Sequence, residues 1–387
     1  IRDVERSRGL GDVYKRQYFD SEAYAVSNQA TVVGRGAVEY YEFGYGTIYY
    51  YEAFRWNPQT GMDYVFMHWG LGYLYDIFAH GISADGSVIV GATARQSGAG
   101  GYENFRGFCK RPDETLWFTD PYNYNESSGV NGVCADGSVV VGWISQQDPW
   151  GGIGPIEAFR WTAAQGLEKL GFLDPLNPAS NALAVSAEGG IVVGNSSVGG
   201  GFGSHLEAFR WSPDQGMVGL GVLRADLGAS TTSWAVSGDG SIIVGEESYL
   251  RAPDTESKAL IWDSIHGLRY LQDVLENDYG LSLSGWQLNA ARGISADGRV
   301  IVGYGQNPSG RTEAWRVVIP EPAPLALLAG GALLIRRRRW TKKPYDGQVQ
   351  GFPTGPGNQP VPSLRESDRS GCDGRGRPPR GEHRQGG

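Results

Sequence analysis

One phrase recurs six times in this chain, and it decides what the chain can fold into. Its clearest copy reads Gly81-Ile82-Ser83-Ala84-Asp85-Gly86-Ser87-Val88-Ile89-Val90-Gly91, and the closing glycine returns at Gly34, Gly142, Gly194, Gly245 and Gly303. Successive closing glycines lie 57, 51, 52, 51 and 58 residues apart. A period near 50 residues marks a repeat architecture in which each unit buries its apolar faces against its neighbours. A second phrase follows in several copies: Glu52-Ala53-Phe54-Arg55-Trp56, Glu157-Ala158-Phe159-Arg160-Trp161 and Glu207-Ala208-Phe209-Arg210-Trp211.

Each unit reads as four strands. A short first strand such as Ala182-Leu183-Ala184-Val185-Ser186 runs into an Asp-Gly turn. Asp-Gly between apolar runs predicts a type I′ hairpin, with positive φ at both central residues. The second strand, Val-Ile-Val-Gly, carries β-branched residues toward both faces, which predicts a strand covered on both sides. A variable loop rich in Gly, Ser, Asn and Gln leads to the Glu-Ala-Phe-Arg-Trp strand. The fourth strand is read at Leu220-Gly221-Val222-Leu223, with Leu170-Gly171-Phe172-Leu173 and Leu71-Gly72-Tyr73-Leu74 as its counterparts. Six such units predict an all-β fold, a β-propeller of six four-stranded blades, with seven as the alternative. The sixth unit stops at Glu313-Ala314-Trp315-Arg316, so its missing strand is expected upstream of Tyr18.

Charge is unevenly spread. The net charge is −8, yet residues 336–387 carry twelve basic and five acidic residues, and residues 1–17 carry five and three. That leaves −17 on residues 18–335. Such a body repels phosphate backbones, so nucleic acid is not expected as a partner. The three cysteines form no Cys-x-x-Cys, and His68, His80, His205, His266 and His383 share no ligand spacing. No metal or cofactor is expected. Cys109 and Cys134, in neighbouring units, fit either two small buried side chains or a pair across blades.

The repeated acidic turns suit neither a calcium loop, which needs several oxygens in a D-x-D-x-D-G spacing, nor an Asp-box, whose Asp and Gly are not adjacent. Turn geometry explains them. Arg55, Arg160 and Arg210 share one strand position. They fit a pair with a neighbouring acid, or a central channel holding an acidic sugar. Trp56, Trp161, Trp211, Trp262 and Trp315 are read as one core position, whereas Trp69, Trp143 and Trp150 fall near loops as candidate contacts for a sugar ring. No nucleophile elbow, phosphate loop or His-based catalytic set is visible.

The ends differ from the repeat. Residues 1–17 match none of it and read as a non-native leader. After the repeat region, 18–318, come Ile319-Pro320-Glu321-Pro322, an apolar run from Ala323 to Ile335, and Arg336-Arg337-Arg338-Arg339. Thirteen apolar residues are short for a membrane-spanning helix, which needs about 20. Four arginines after the run would hold that end in the cytoplasm. Residues 342–387, rich in Pro, Gly and Arg, read as a disordered tail.

The repeat phrases resemble the HAF family of extracellular repeats over residues 21–316, with the largest departure at Arg106-Gly107-Phe108-Cys109-Lys110. The segment 319–341 resembles a PEP-CTERM sorting signal. That resemblance implies an exosortase partner recognising Pro320, Glu321 and Pro322, a membrane stop at Arg336 to Arg339, and export from a Gram-negative cell to the outer surface or matrix. Together these imply a non-catalytic propeller that binds or scaffolds extracellular polysaccharide or surface proteins. The alternative is a lyase or glycosidase acting on such glycans.

Overall fold

A computed structural model describes residues 20–42, 46–65, 75–96, 102–118, 126–145, 154–200, 204–251, 254–319 and 350–351. The chain divides into two compact units, residues 1–352 and 353–387, and everything described belongs to the first. It forms six antiparallel four-stranded sheets, each ordered first strand to fourth, arranged as the blades of a propeller. The first strands are Asp20–Val26, Tyr75–Ile82, Ser127–Val133, Ser180–Val185, Ser230–Val236 and Gln287–Ile294. Each touches the first strand of the next blade, so these strands line the axis. One α-helix, Leu271–Asn277, links the fifth and sixth blades.

Second strands inside the array are buried on both faces, as at Val139–Ser145, whereas that of the sixth blade exposes Val302. Their closing glycine has a steric cause. It pairs across the sheet with the large residue of the third strand: Gly34 with Phe54, Gly142 with Phe159, Gly194 with Phe209. On its other side it abuts the first strand. A Cβ at Gly91 would stand 1.9 Å from the Phe78 carbonyl oxygen and 2.8 Å from the Phe108 ring. Phe108, Phe159 and Phe209 are fully buried there, each contributing roughly 2–3 kcal/mol of apolar burial. Trp315 pairs with Gly303 and therefore takes the phenylalanine position, not the tryptophan position read from the sequence. Val317, opposite Ile301, stands where the other blades have tryptophan. The shorter, altered phrase of the sixth unit hides this two-residue offset.

The Asp-Gly turns are not type I′. Only the glycine has positive φ, as at Gly86 (78°) and Gly137 (75°). Its N–H closes the turn onto the carbonyl three residues back, Gly86 onto Ser83 at 3.0 Å. The aspartate is needed for its carboxylate. Asp85 Oδ1 accepts from Ser83 Oγ (2.6 Å), Ser87 N (3.0 Å) and Ser87 Oγ (2.9 Å). Asp136 and Asp239 do the same, with Cys134 and Ser237 as first donor, while Asp297 accepts from Ser295 Oγ and Arg299 N. These bonds hold all four carboxyls below their usual range, Asp136 at about 2. Their folded values lie below the unfolded value of about 4. The turns thus gain stability above that pH and lose it as pH falls toward 2. Changing all four aspartates to asparagine is expected to flatten the fall in melting temperature between pH 5 and pH 2. An unchanged slope would reject this role.

The fourth strands also begin earlier than the sequence reading placed them. They are Gly61–Tyr64, Thr115–Trp117, Gly166–Lys169, Gly216–Gly219 and Gly267–Tyr270, and Leu71-Gly72-Tyr73-Leu74 lies outside the described residues. Leu170 and Leu220 still donate to the third strand, but Gly171 (81°) and Gly221 (85°) then turn the chain out of the sheet. The Leu-Gly-x-Leu phrase is therefore the exit from the blade. In the sixth blade the fourth position holds two residues, Gln350–Gly351, opposite Arg316 and Trp315. The sequence reading expected that strand from upstream of Tyr18, which lies outside the described residues.

A row of backbone hydrogen bonds joins the inner turns. Asn28 N donates to Ala84 O, Ala84 N to Ala135 O, Ala135 N to Ala187 O, Ala187 N to Gly238 O, and Gly238 N to Ala296 O, all at 2.9–3.1 Å. The turn glycine makes this close seating possible. A Cβ at Gly137, Gly189 or Gly240 would stand 2.4–2.5 Å from the Val88, Val139 or Ile191 side chain of the preceding blade. The two ends of the row differ from its middle. Val302 of the sixth blade is 40% exposed, whereas its counterparts Val90, Val141, Val193 and Val244 are at most 1% exposed. In the first blade Val26 is 64% exposed, and the turn glycine is replaced by Ala30 at φ 59°.

Candidate binding surface on the axial strands

Each first strand carries a β-bulge. At one shared position the pairing register skips a residue in every blade, Tyr24, His80, Asn131, Leu183, Trp234 and Arg292, and the sixth blade skips a second, Asn289. A bulge re-aims one side chain without breaking the strand on either side. These six residues differ from one another, while the residues around them repeat. Beside them on the second strands lies a second variable layer, the residue after each closing glycine: Arg35, Ala92, Trp143, Asn195, Glu246 and Tyr304.

The two layers bridge neighbouring blades. Tyr24 packs edge-on to His80, centroids 5.9 Å apart, and His80 Nδ1 lies 2.9 Å from the Val130 carbonyl. Burial holds the His80 imidazole below its usual pKa, so it is neutral at physiological pH. Asn131 donates to Asn181 and to the Ala182 carbonyl, both at 2.8 Å, and Asn195 Nδ2 reaches Thr232 at 3.4 Å.

Two clusters in these layers combine arginine, glutamate and aromatic rings. Between the fifth and sixth blades the Arg292 guanidinium lies 3.8 Å from the Trp234 ring centroid and 5.4 Å from that of Tyr304. Glu246 joins them, accepting from Trp234 Nε1 (3.1 Å), Arg292 (3.2 Å) and the Tyr304 hydroxyl (3.4 Å). Between the first and second blades Arg35 lies over Tyr51 (4.3 Å) and Phe78 (5.4 Å) and pairs with Glu22 at 2.9 Å. The Tyr24 hydroxyl donates to Glu22 at 2.6 Å, and this bond together with that from Arg35 holds the Glu22 carboxyl below its usual range. Both carboxylates are thus engaged by their neighbours. That arrangement suits recognition of hydroxyls and rings more than proton transfer.

The sequence candidates fall in different places. Arg55, Arg160 and Arg210 lie on third strands, away from the axis. Arg55 pairs with Asp63 of the fourth strand at 2.9 Å. Arg160 lies 3.8 Å from Glu168, donates to Gln165, and reaches the Gly189 carbonyl of the next blade at 3.2 Å. Arg210 donates to Gln215 and lines a shallow cleft of about 440 Å³ with Ile191, Pro213 and Asp214. Arg55 and Arg160 thus face an acid of their own blade, whereas Arg210 reaches an amide. Trp143 does belong to the axial layer, edge-on to Phe105 at 5.8 Å. Trp69, Trp150, Pro320, Glu321, Pro322 and Arg336 to Arg339 lie outside the described residues. Cys109 and Cys134 are both buried and free, and the Cys134 thiol replaces the turn serine, accepting from Val139 N at 3.1 Å. Among the described residues no three His, Cys, Asp or Glu side chains are placed to hold a metal, and no helix is long and apolar enough to cross a membrane.

The axial residues escaped the sequence reading because attention fell on what repeats. Aligning the six copies and marking the one position between Ala79 and Gly81 that changes every time would have found them.

No protein-family model matches the chain, and neither does any curated protein sequence. Solved structures with a similar backbone are β-propeller proteins. A putative TolB from Agrobacterium tumefaciens aligns over 78% of this chain and 90% of its own, at 13% identity and TM-score 0.43. The β-propeller domain of the Trilobed protease from Pyrococcus furiosus aligns over 78% and 81%, at 11% identity and TM-score 0.46. TolB from Acinetobacter baumannii aligns over 69% of this chain, which spans 57% of that protein, at 12% identity and TM-score 0.42.

Proposed function

We propose that this propeller is an exported, non-catalytic binding module that holds extracellular polysaccharide or a surface protein through its axial layers. One observation carries the reading. Six bulges on one repeated frame present six different side chains, and rings, an arginine and an amide predominate among them. Tyrosine and tryptophan offer flat apolar faces with a polar edge. Arg–Glu pairs beside them offer donors and acceptors in fixed directions, the pattern that sugar hydroxyls meet. Small-molecule and chain ligands settle where a few polar groups converge among apolar walls.

The sorting half of the proposal rests on the resemblance of residues 319–341 to a PEP-CTERM signal, with Pro320, Glu321 and Pro322 read by an exosortase. It predicts that mass spectrometry of the mature protein from its native host finds a C-terminus near Pro320 to Pro322. A mature chain ending at Gly387 would overturn it.

The binding half is tested with the host's surface polysaccharide and its surface protein fraction. Trp234→Ala or Tyr24→Ala is expected to weaken binding about tenfold, the loss of one well-placed contact. Arg55→Ala, on the outer blade, should leave binding unchanged. Binding by neither fraction, or equal losses from all three variants, would defeat the reading.

A further inference from the structure

Three arginines hold one position of the repeat, and one of them has lost its acid. By register on the sheet, Arg55 of the first blade faces Asp63 of the fourth strand, and Arg160 of the third blade faces Glu168. The second and fifth blades offer no acid there and carry no arginine: Cys109 faces Leu116, and Ile261 faces Arg269. In the sixth blade the fourth position holds only two residues, and Arg316 is exposed. The fourth blade alone among the first five keeps the arginine without the acid. Arg210 faces Val218, which is 47% exposed.

The Arg210 guanidinium is correspondingly short of acceptors. Among the described residues no carboxylate pairs with it, and its one side-chain hydrogen bond goes to the Gln215 amide oxygen at 3.3 Å. Its Nε is sealed without an acceptor, whereas Arg160 Nε donates to the Gly189 carbonyl of the next blade at 3.2 Å. A guanidinium carries five N–H donors and a fixed charge, so most of this donor set is unused. Arg210 lines a cleft of about 440 Å³ together with Ile191, Ser212, Pro213, Asp214 and Gln215. That volume lies in the range of small-ligand sites, and the lining mixes apolar and polar side chains as such sites do.

We infer that this cleft on the fourth blade is a binding site for a uronic acid residue of an acidic polysaccharide. The planar guanidinium meets a carboxylate through two parallel N–H···O bonds, the pairing that Asp63 and Glu168 supply to the other two arginines. Ile191 and Pro213 give the sugar ring an apolar wall, and Ser212 and Gln215 give its hydroxyls partners. Asp214 in the cleft, and the charge of −17 on residues 18–335, disfavour a doubly charged group such as phosphate and leave the singly charged carboxylate. The site is separate from the axial layers and does not rest on what they bind.

The test uses the full chain and trigalacturonate, three linked galacturonic acid residues, with binding read by equilibrium dialysis and saturation-transfer NMR at low salt. The neutral galactose trimer should bind at least about tenfold more weakly, the loss of a charge-assisted pair. Arg210→Gln should weaken trigalacturonate by a similar factor. Val218→Glu installs the acid that Arg160 already has, at an exposed strand position that leaves the blade core untouched, and should weaken binding as much. Arg55→Gln should change nothing. No binding, equal binding of the neutral trimer, or binding unmoved by Val218→Glu overturns the inference. Triglutamate binding as tightly as trigalacturonate would overturn the sugar assignment, since the cleft would then read the carboxylate alone. Binding through the axial layers alone would survive both Arg210→Gln and Val218→Glu, so the two sites fail independently.

Discussion

Gly91→Ala is expected to cost at least about 3 kcal/mol, although it adds a single methyl group. The added Cβ would stand 1.9 Å from the Phe78 carbonyl oxygen on one side and 2.8 Å from the Phe108 ring on the other. A normal carbon–oxygen contact is more than 1 Å longer, so the first and second strands must part or the phenylalanine must leave its seat. Parting the strands sacrifices ladder hydrogen bonds, and moving Phe108 opens a cavity between two blades. Each outcome belongs to the short set of mechanisms that produce large losses. Urea unfolding followed by tryptophan fluorescence measures the effect. Gly61→Ala, a glycine with nothing near its Cβ but φ 75°, separates overlap from backbone strain and should cost only about 1 kcal/mol. Equal losses at the two positions would reject the steric account.

The second large effect is expected at Glu247. This residue is fully buried in the fifth blade. Its Oε1 accepts from Leu223 N (2.6 Å) and Arg224 N (3.0 Å), and its Oε2 accepts from the Tyr270 hydroxyl (2.5 Å). It thereby pins the connection that leaves the fourth blade. Burial and the bond to Glu247 together raise the Tyr270 phenol above its usual pKa. Glu247→Ala leaves three donors unpaired in a dry site and should cost about 3 kcal/mol. Glu247→Gln keeps an oxygen for the two backbone donors and should cost about 1 kcal/mol. If the alanine variant loses no more than the glutamine variant, the carboxylate is not what holds this connection.

Much of the architecture was legible in the residues. The 50-residue period, the Val-Ile-Val-Gly core strand and the four strands per unit follow from apolar patterning and turn chemistry, because both are local. What was not legible depends on pairing register. Leu220-Gly221-Val222-Leu223 alternates as a strand should, but it lies past the last rung, and only the positive φ of Gly221 marks the exit. Trp315 looks like its namesakes in the phrase yet pairs opposite Gly303. The bulged residues are a clearer case still. Nothing in Ala79-His80-Gly81 announces that the histidine is skipped by the ladder, since a bulge is defined by the partner strand. Arg55, Arg160 and Arg210 attracted attention because they recur. Recurrence in a repeat protein marks the frame, and Arg55 and Arg160 each lie beside an acid of their own blade.

The bulges also bear on how such a protein could change. A residue outside the ladder has no cross-strand partner whose fit must be preserved, so replacing it disturbs neither the strand nor the blade behind it. Tyr24, His80, Asn131, Leu183, Trp234 and Arg292 therefore form a variable set on a repeated chassis, coupled where they touch, as Tyr24 touches His80 and Arg292 touches Trp234. Randomising them should yield a combinatorial library in which recognition is rewritten while the scaffold is inherited intact.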